Sequence, residues 1–375
     1  MTRTEPDAAS GPDTRLEPMA RRLWPRPAPR TLTVLRWSAL LTWIVVIVFW
    51  VRRDGITYDR NTLLICICTG LMAASIGHRN ALLVVRDWLP FALVLLLYDY
   101  TRGAALWFGR PTEWHLQINF DRALFFGHEP TVWLQSKLKE PFPPWWEVIV
   151  SLVYVSFFFL PYVVAGVLYV RNRVRWKQFI LRFVAISFIG LVGFVAFPAA
   201  PPWAAALCHS SDVIGGPSDP SCMDQHPGFI QDGGMLGKVT LSHQGAAPWI
   251  ERISTRGWDK LGVPQARALV DEGQATSNEV AAVPSLHAAI SSLITVFFWR
   301  RLRKRWRPLL AGYALVMAFT LVYAAEHYVF DILLGWLLTG VVNHLFTRWE
   351  RRAGRESTKP VGAPDTLEAS LPARP

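Results

Sequence analysis

The chain reads as an all-α, polytopic transmembrane helical bundle, with a six-helix core, about eight spans in all and amphipathic helices at the membrane interface. Three observations predict this class. Of its 375 residues 51% are hydrophobic, and they gather into separated runs of membrane-spanning length. There are 18 Trp, an abundance that suits a protein anchored at two interfaces. The net charge of +11 sits in basic blocks beside the apolar runs, which is the pattern of cytoplasmic loops and not of a nucleic-acid surface. No nucleic-acid partner is expected.

Residues 1–30, rich in Pro, Arg and Asp, predict a disordered cytoplasmic tail. No secretory signal peptide is apparent, because the first apolar run begins near Thr31 and no small-residue cleavage site follows it. Thr31–Val51 is long enough to span, Thr62–Gly77 is shorter, and Ala81–Tyr98 is interrupted by Arg86, Asp87 and Pro90. Residues 99–146 mix Trp107, Trp114, Trp133, Trp145 and Trp146 with balanced charge and predict short interfacial helices. Glu147–Val170, Gln178–Phe197, Pro284–Trp299, Leu309–Ala325 and Val329–Phe346 are the remaining spans. Residues 348–375 predict a second cytoplasmic tail, which leaves 31–347 as the membrane domain with its core at 147–347.

Basic blocks after residues 170, 299 and 347 are assigned to the cytoplasm. Two spans separate each block from the next, so the loop 203–283 and the turn Glu326–Tyr328 face the other side. Counting backwards gives eight crossings with both termini inside; a six-span core with partly re-entrant early runs is the alternative. Cys208 and Cys222 both lie in the extracytoplasmic loop. A disulfide there would stabilise the loop by roughly 3 kcal/mol, and two free thiols are the alternative. Cys66 and Cys68 point to different faces of a helix and read as packing residues.

The chemistry concentrates in two stretches at span edges, Pro284-Ser285-Leu286-His287 and Glu326-His327-Tyr328-Val329-Phe330-Asp331. Polar, titratable groups at matched depth in a membrane are a functional hypothesis by default. His327 and Asp331 are spaced i, i+4, so the carboxylate can orient one ring nitrogen and leave the other for a ligand. A structural His–Asp pair closing a helix end has the same spacing. Pro284 suits a first helical turn, and Ser285 stands at the free N–H groups of a helix start, which favours an anion such as phosphate. A capping Ser and a snorkelling His are the alternative. Two histidines, one beside a carboxylate and one at an anion-favouring helix start, point to phosphoryl transfer.

These stretches resemble the phosphatidic acid phosphatase type 2 superfamily, which carries P-S-G-H in one motif and S-R-x5-H-x3-D in another. The wording P-S-L-H-A-A and H-Y-V-F-D is similar to the inositol phosphorylceramide synthase branch, and the resemblance covers roughly residues 147–347, including Phe197 to Trp203. It implies that His327 attacks phosphorus and forms a phosphohistidine, that Asp331 orients it, and that His287 is the acid and base. It implies no metal and no cofactor. The family's S-R is replaced by Thr320-Leu321, and a K-x6-R-P motif is absent. A phosphoryl group still requires positive charge. Arg102, Arg110, Arg122, Lys238, Arg252, Arg256 and Arg267 lie on the expected side; Ser285, Arg102, Arg122, Lys238 and Arg256 are taken as phosphate-binding candidates.

The implied activity is transfer of a phospho-head group from a membrane phospholipid to an acceptor hydroxyl, in the cell membrane, at the extracytoplasmic face. Hydrolysis of a lipid or polyprenyl phosphate by the same residues is the nearest rival, with water as acceptor. A transporter or membrane scaffold is the rival of another class; it would place charges deep inside several spans, where only Arg86 and Asp87 stand out.

Overall fold

In hydrocarbon each backbone N–H and C=O must be satisfied within its own segment, so long apolar runs become helices. The computed structural model describes residues 29–54, 60–77, 83–89, 92–93, 97, 108–230, 232–263, 267 and 280–353. Helix α1 covers Pro29–Asp54 and α2 covers Arg60–Ser75. Two short helices follow, α3 (Leu116–Leu124) and α4 (Pro130–Leu138). The long helices after them are α5 (Trp145–Arg171), α6 (Arg173–Ala196), α7 (Leu286–Trp299), α8 (Arg307–Tyr323) and α9 (Val329–Arg352). Among the described residues, α1, α5, α6, α8 with the turn before it, and α9 are long and apolar enough to cross a membrane; α7 is shorter, with 14 residues. The chain is an all-helical polytopic membrane bundle, and β-pairing among the described residues is limited to isolated bridges at Glu113–Ala199 and Ala199–Ala281. The expected third span, 81–98, is described only in part, with helical residues at 83–89.

Helix α7 is the centre of the bundle and packs against α5, α6, α8 and α9. Small residues let the backbones close on it, which in lipid supplies much of the packing. A Cβ on Gly335 of α9 would stand 2.5 Å from the Ser285 carbonyl oxygen, and one on Gly193 of α6 would stand 2.6 Å from Pro284 Cδ. The Pro284–Ser285 turn is therefore held between two helices before α7 begins. Thr339 Oγ1 of α9 donates to the Ala289 carbonyl at 2.7 Å and fixes the register. By contrast α1 has no buried residue in its apolar window, and its Val34, Trp37, Leu41, Val45 and Phe49 face outward, as lipid-facing side chains do.

The segment 197–263 covers the end of the bundle where α7 and α9 begin. Cys208 and Cys222 are joined by a disulfide, with Cα atoms 5.2 Å apart, inside a small core that includes Trp114, Val213 and Met223. Cys66 and Cys68 are free thiols on α2.

Candidate active site

The site is built on the turn Ala324–Tyr328 that joins α8 to α9. Ala325 takes φ +58°, a left-handed conformation that costs a non-glycine residue about 1 kcal/mol. This lets the Glu326 and His327 N–H groups fold back onto the Leu321 carbonyl, at 2.9 and 3.2 Å. The two short helices secure both sides of the turn. From α4, Thr131 Oγ1 donates to the Val322 carbonyl at 3.0 Å and Gln135 Nε2 to the Tyr323 carbonyl at 2.9 Å, satisfying the end of α8. From α3, the Asp121 carboxylate accepts the Val329 and Phe330 N–H groups, at 2.8 and 3.0 Å, where α9 begins. Donors meet the carbonyl end of one helix and a carboxylate meets the N–H end of the next, as the helix dipoles favour.

On that turn His327 Nδ1 lies 3.3 Å from Asp331 Oδ2, and the same oxygen accepts the Tyr328 N–H at 3.0 Å. Asp331 is fully buried. The His327 and His287 ring centres are 5.6 Å apart, inclined by 57°. His287 sits in the first turn of α7, where Ser285 caps the helix by accepting the Ala288 N–H at 3.2 Å. The Ser285 N–H donates to the Asp331 carbonyl at 3.1 Å, so the two motifs are bonded directly. Tyr154 stacks on His287 with ring centres 5.0 Å apart, and Phe157 lies at 4.0 Å on α5. These rings were not singled out by the sequence, where they are two aromatics among many in an apolar span.

The cations separate into different places. Arg122 donates through Nη2 to the Met235 and Leu236 carbonyls, at 2.8 and 3.1 Å. Arg256 is bound by the Glu140 carbonyl and stands 3.5 Å from Glu147 and 3.8 Å from Glu251. Lys238 is exposed, and Arg102 lies outside the described residues. Arg252 instead pairs with Glu326, the residue beside His327, through Nε and Nη2, each at 2.9 Å. Ser254 Oγ donates to the same carboxylate at 2.7 Å. Asp121 carries no sequence signal of its own, and Arg252 is only one of several cations on the expected side, since their partners lie 208 and 74 residues away. Burial pushes the Asp121 carboxyl up to about 6 and the nearby Glu129 carboxyl, at the start of α4, up to about 7. Among the described residues no three His, Cys, Asp or Glu side chains converge so as to hold a metal ion.

Helices that embed in lipid and a histidine pair with its carboxylate at one end of them define a class. A model of the PAP2 superfamily matches residues 117–345, and the chain belongs to that superfamily, making it a membrane enzyme that acts on lipid phosphates. More particularly, it is 24% identical over 257 residues to the phosphoinositol dihydroceramide synthase of Bacteroides thetaiotaomicron, across 66% of this chain and 71% of that protein. No solved structure matches.

Proposed function

We propose that the protein transfers a phospho-head group from a membrane phospholipid to an acceptor hydroxyl through a phosphohistidine on His327. The observation that carries this reading is the pairing of a carboxylate-bound His327 with His287, 5.6 Å away across the start of α7. With Nδ1 held by Asp331, the Nε2 lone pair is the nucleophile. It attacks phosphorus, the bond from phosphorus to the lipid oxygen breaks, and His287 gives its proton to that oxygen. The acceptor hydroxyl then attacks phosphorus on His327, His287 takes the hydroxyl proton, and the P–N bond breaks to restore the enzyme. The name of the Bacteroides relative supports a phosphoinositol unit as cargo and a ceramide-type alcohol as acceptor.

The active site opens to the extracytoplasmic face in this reading. The support is the disulfide at the same end of the bundle as the histidines, since disulfides persist in oxidising compartments. A membrane-impermeant maleimide is expected to label Lys238→Cys in intact cells, and protection there would overturn the orientation.

The chemistry is tested with phospholipid labelled at phosphorus and purified protein. Acid-labile label is expected on the wild-type chain and none on His327→Ala. Full lipid turnover by both His327→Ala and Asp331→Asn would sink the assignment. Turnover of the phospholipid to free head-group phosphate, with no transfer to any added alcohol, would make the protein a hydrolase with water as its acceptor.

A further inference from the structure

Helix α3 divides its surface three ways. Gln117, Ile118 and Asp121 are buried against the protein, where Asp121 accepts the Val329 and Phe330 N–H groups. His115 and Asn119 are polar and exposed. Leu116, Phe120 and Leu124 are exposed and apolar, and their i, i+4, i+8 spacing makes them one row. The row runs on into Phe125 and Phe126 at the end of the helix. Phe126 takes φ +55°, a left-handed conformation that side chains with a Cβ seldom adopt, and it is 95% exposed. A contiguous apolar face of this kind marks an interaction surface.

What covers the row follows from its neighbour. Phe120 meets Phe330 edge-on, with ring centres 5.0 Å apart. Phe330 heads the outward row of α9, which continues through the exposed Leu333, Leu337, Val341 and Leu345. Because α9 is long and apolar enough to cross a membrane, that row faces acyl chains. The α3 row therefore joins a lipid-facing surface at the level where α9 begins. With nine residues, α3 is too short to be a stable helix by itself in water. We propose that the apolar row of α3, with Phe125 and Phe126, is embedded among the acyl chains of the leaflet on the active-site side, and that this contact holds Asp121 on the start of α9. Lipid grips one face of the helix and the other face grips the turn that carries His327, so that turn is fully ordered only in a bilayer. The proposal does not depend on which reaction His327 performs.

The test uses the full chain in phosphatidylcholine nanodiscs and reads no turnover. Spin labels on Leu124→Cys, Phe126→Cys and Asn119→Cys, each in a Cys66→Ser, Cys68→Ser chain, report collisions with oxygen, which concentrates among acyl chains, and with a water-soluble nickel chelate. Oxygen is expected to dominate at 124 and 126, and the chelate at 119. Chelate access at 124 and 126 equal to that at 119 overturns the insertion. Access of neither reagent would mean that protein, such as a second copy of the chain, covers the row, and overturns it too. Deuterium exchange at the Val329 and Phe330 amides tests the link to the turn. The double variant Leu124→Gln, Phe126→Gln is expected to exchange there about tenfold faster than wild type, and Asn119→Gln to exchange at the wild-type rate. Exchange in the double variant within about twofold of wild type overturns the link. An equal acceleration in Asn119→Gln overturns it as well, because loss of helix stability without loss of lipid contact would then explain both.

Discussion

Two of the polar clusters buried among the described residues are finished to different degrees. Toward the far end of α9, Arg182 meets Glu350 through Nη1 and Nη2 at 2.6 and 2.8 Å. Its other N–H groups reach Asn343 Oδ1, the Gln178 carbonyl and Thr347 Oγ1, at 3.0, 2.9 and 3.3 Å. All five donors of that guanidinium are thereby used. At the histidine end, His287 Nε2, Asp331 Oδ1, Thr320 Oγ1 and Tyr328 Oη are buried with no hydrogen-bond partner in the protein. Buried polar atoms are nearly always paired, and an orphan calls for an explanation. The first cluster is complete without a ligand and locks α6 to α9. The second has capacity left over, which the proposed function gives to the substrate.

The sharpest way to break this contrast is to damage each cluster and read both stability and rate. Asp331→Asn is expected to lower kcat by about 10³–10⁴-fold, because an amide cannot hold the same His327 tautomer. Its thermal midpoint in detergent should match the wild type. Glu350→Ala leaves a buried guanidinium without its anion, which is expected to remove about 3–5 kcal/mol of stability. The protein that remains folded should turn over lipid at the wild-type rate. If Glu350→Ala lost turnover without losing stability, the division between the two clusters would be wrong.

How much of this was legible in the sequence follows from the range of each interaction. The spans of the core were set by local hydropathy, and α5, α6, α8 and α9 begin and end within a few residues of the apolar runs. His327 and Asp331 share one helical turn, so their spacing alone placed them together. Asp121 and Arg252 could not be read in this way, because each acts on a residue far along the chain. Arg122 and Arg256 were visible as cations beside apolar segments, but their partners include backbone carbonyls, which leave no mark in a sequence. The amphipathic region before α5 was expected at the interface. Its use as a clamp on both ends of the Ala324–Tyr328 turn follows only from the tertiary contacts.

That clamp gives a smaller, more discriminating perturbation. Asp121→Asn keeps the shape of the side chain but weakens its hold on the Val329 and Phe330 N–H groups. As a positioning residue, it is expected to lower kcat by about tenfold, in the range of other residues that orient a ligand from behind, while KM stays near wild type. Equal changes in KM and kcat would instead mean that α3 contacts the substrate.

The pH dependence of stability offers a further test, and its sign is fixed by Asp121 and Glu129. Both carboxyls are raised by burial, Asp121 from 3.8 to about 6 and Glu129 from 4.5 to about 7. The folded protein therefore binds more protons than the unfolded chain between those values, and stability falls as pH rises through the window. Each group contributes about 1.4 kcal/mol per pH unit inside its window and nothing further above it. The thermal midpoint in detergent is expected to decline from about pH 5 to about pH 7 and then level. The double variant Asp121→Asn, Glu129→Gln should flatten that decline. A decline that persisted unchanged in the double variant would mean that the carboxylates behind the Ala324–Tyr328 turn do not set the pH dependence.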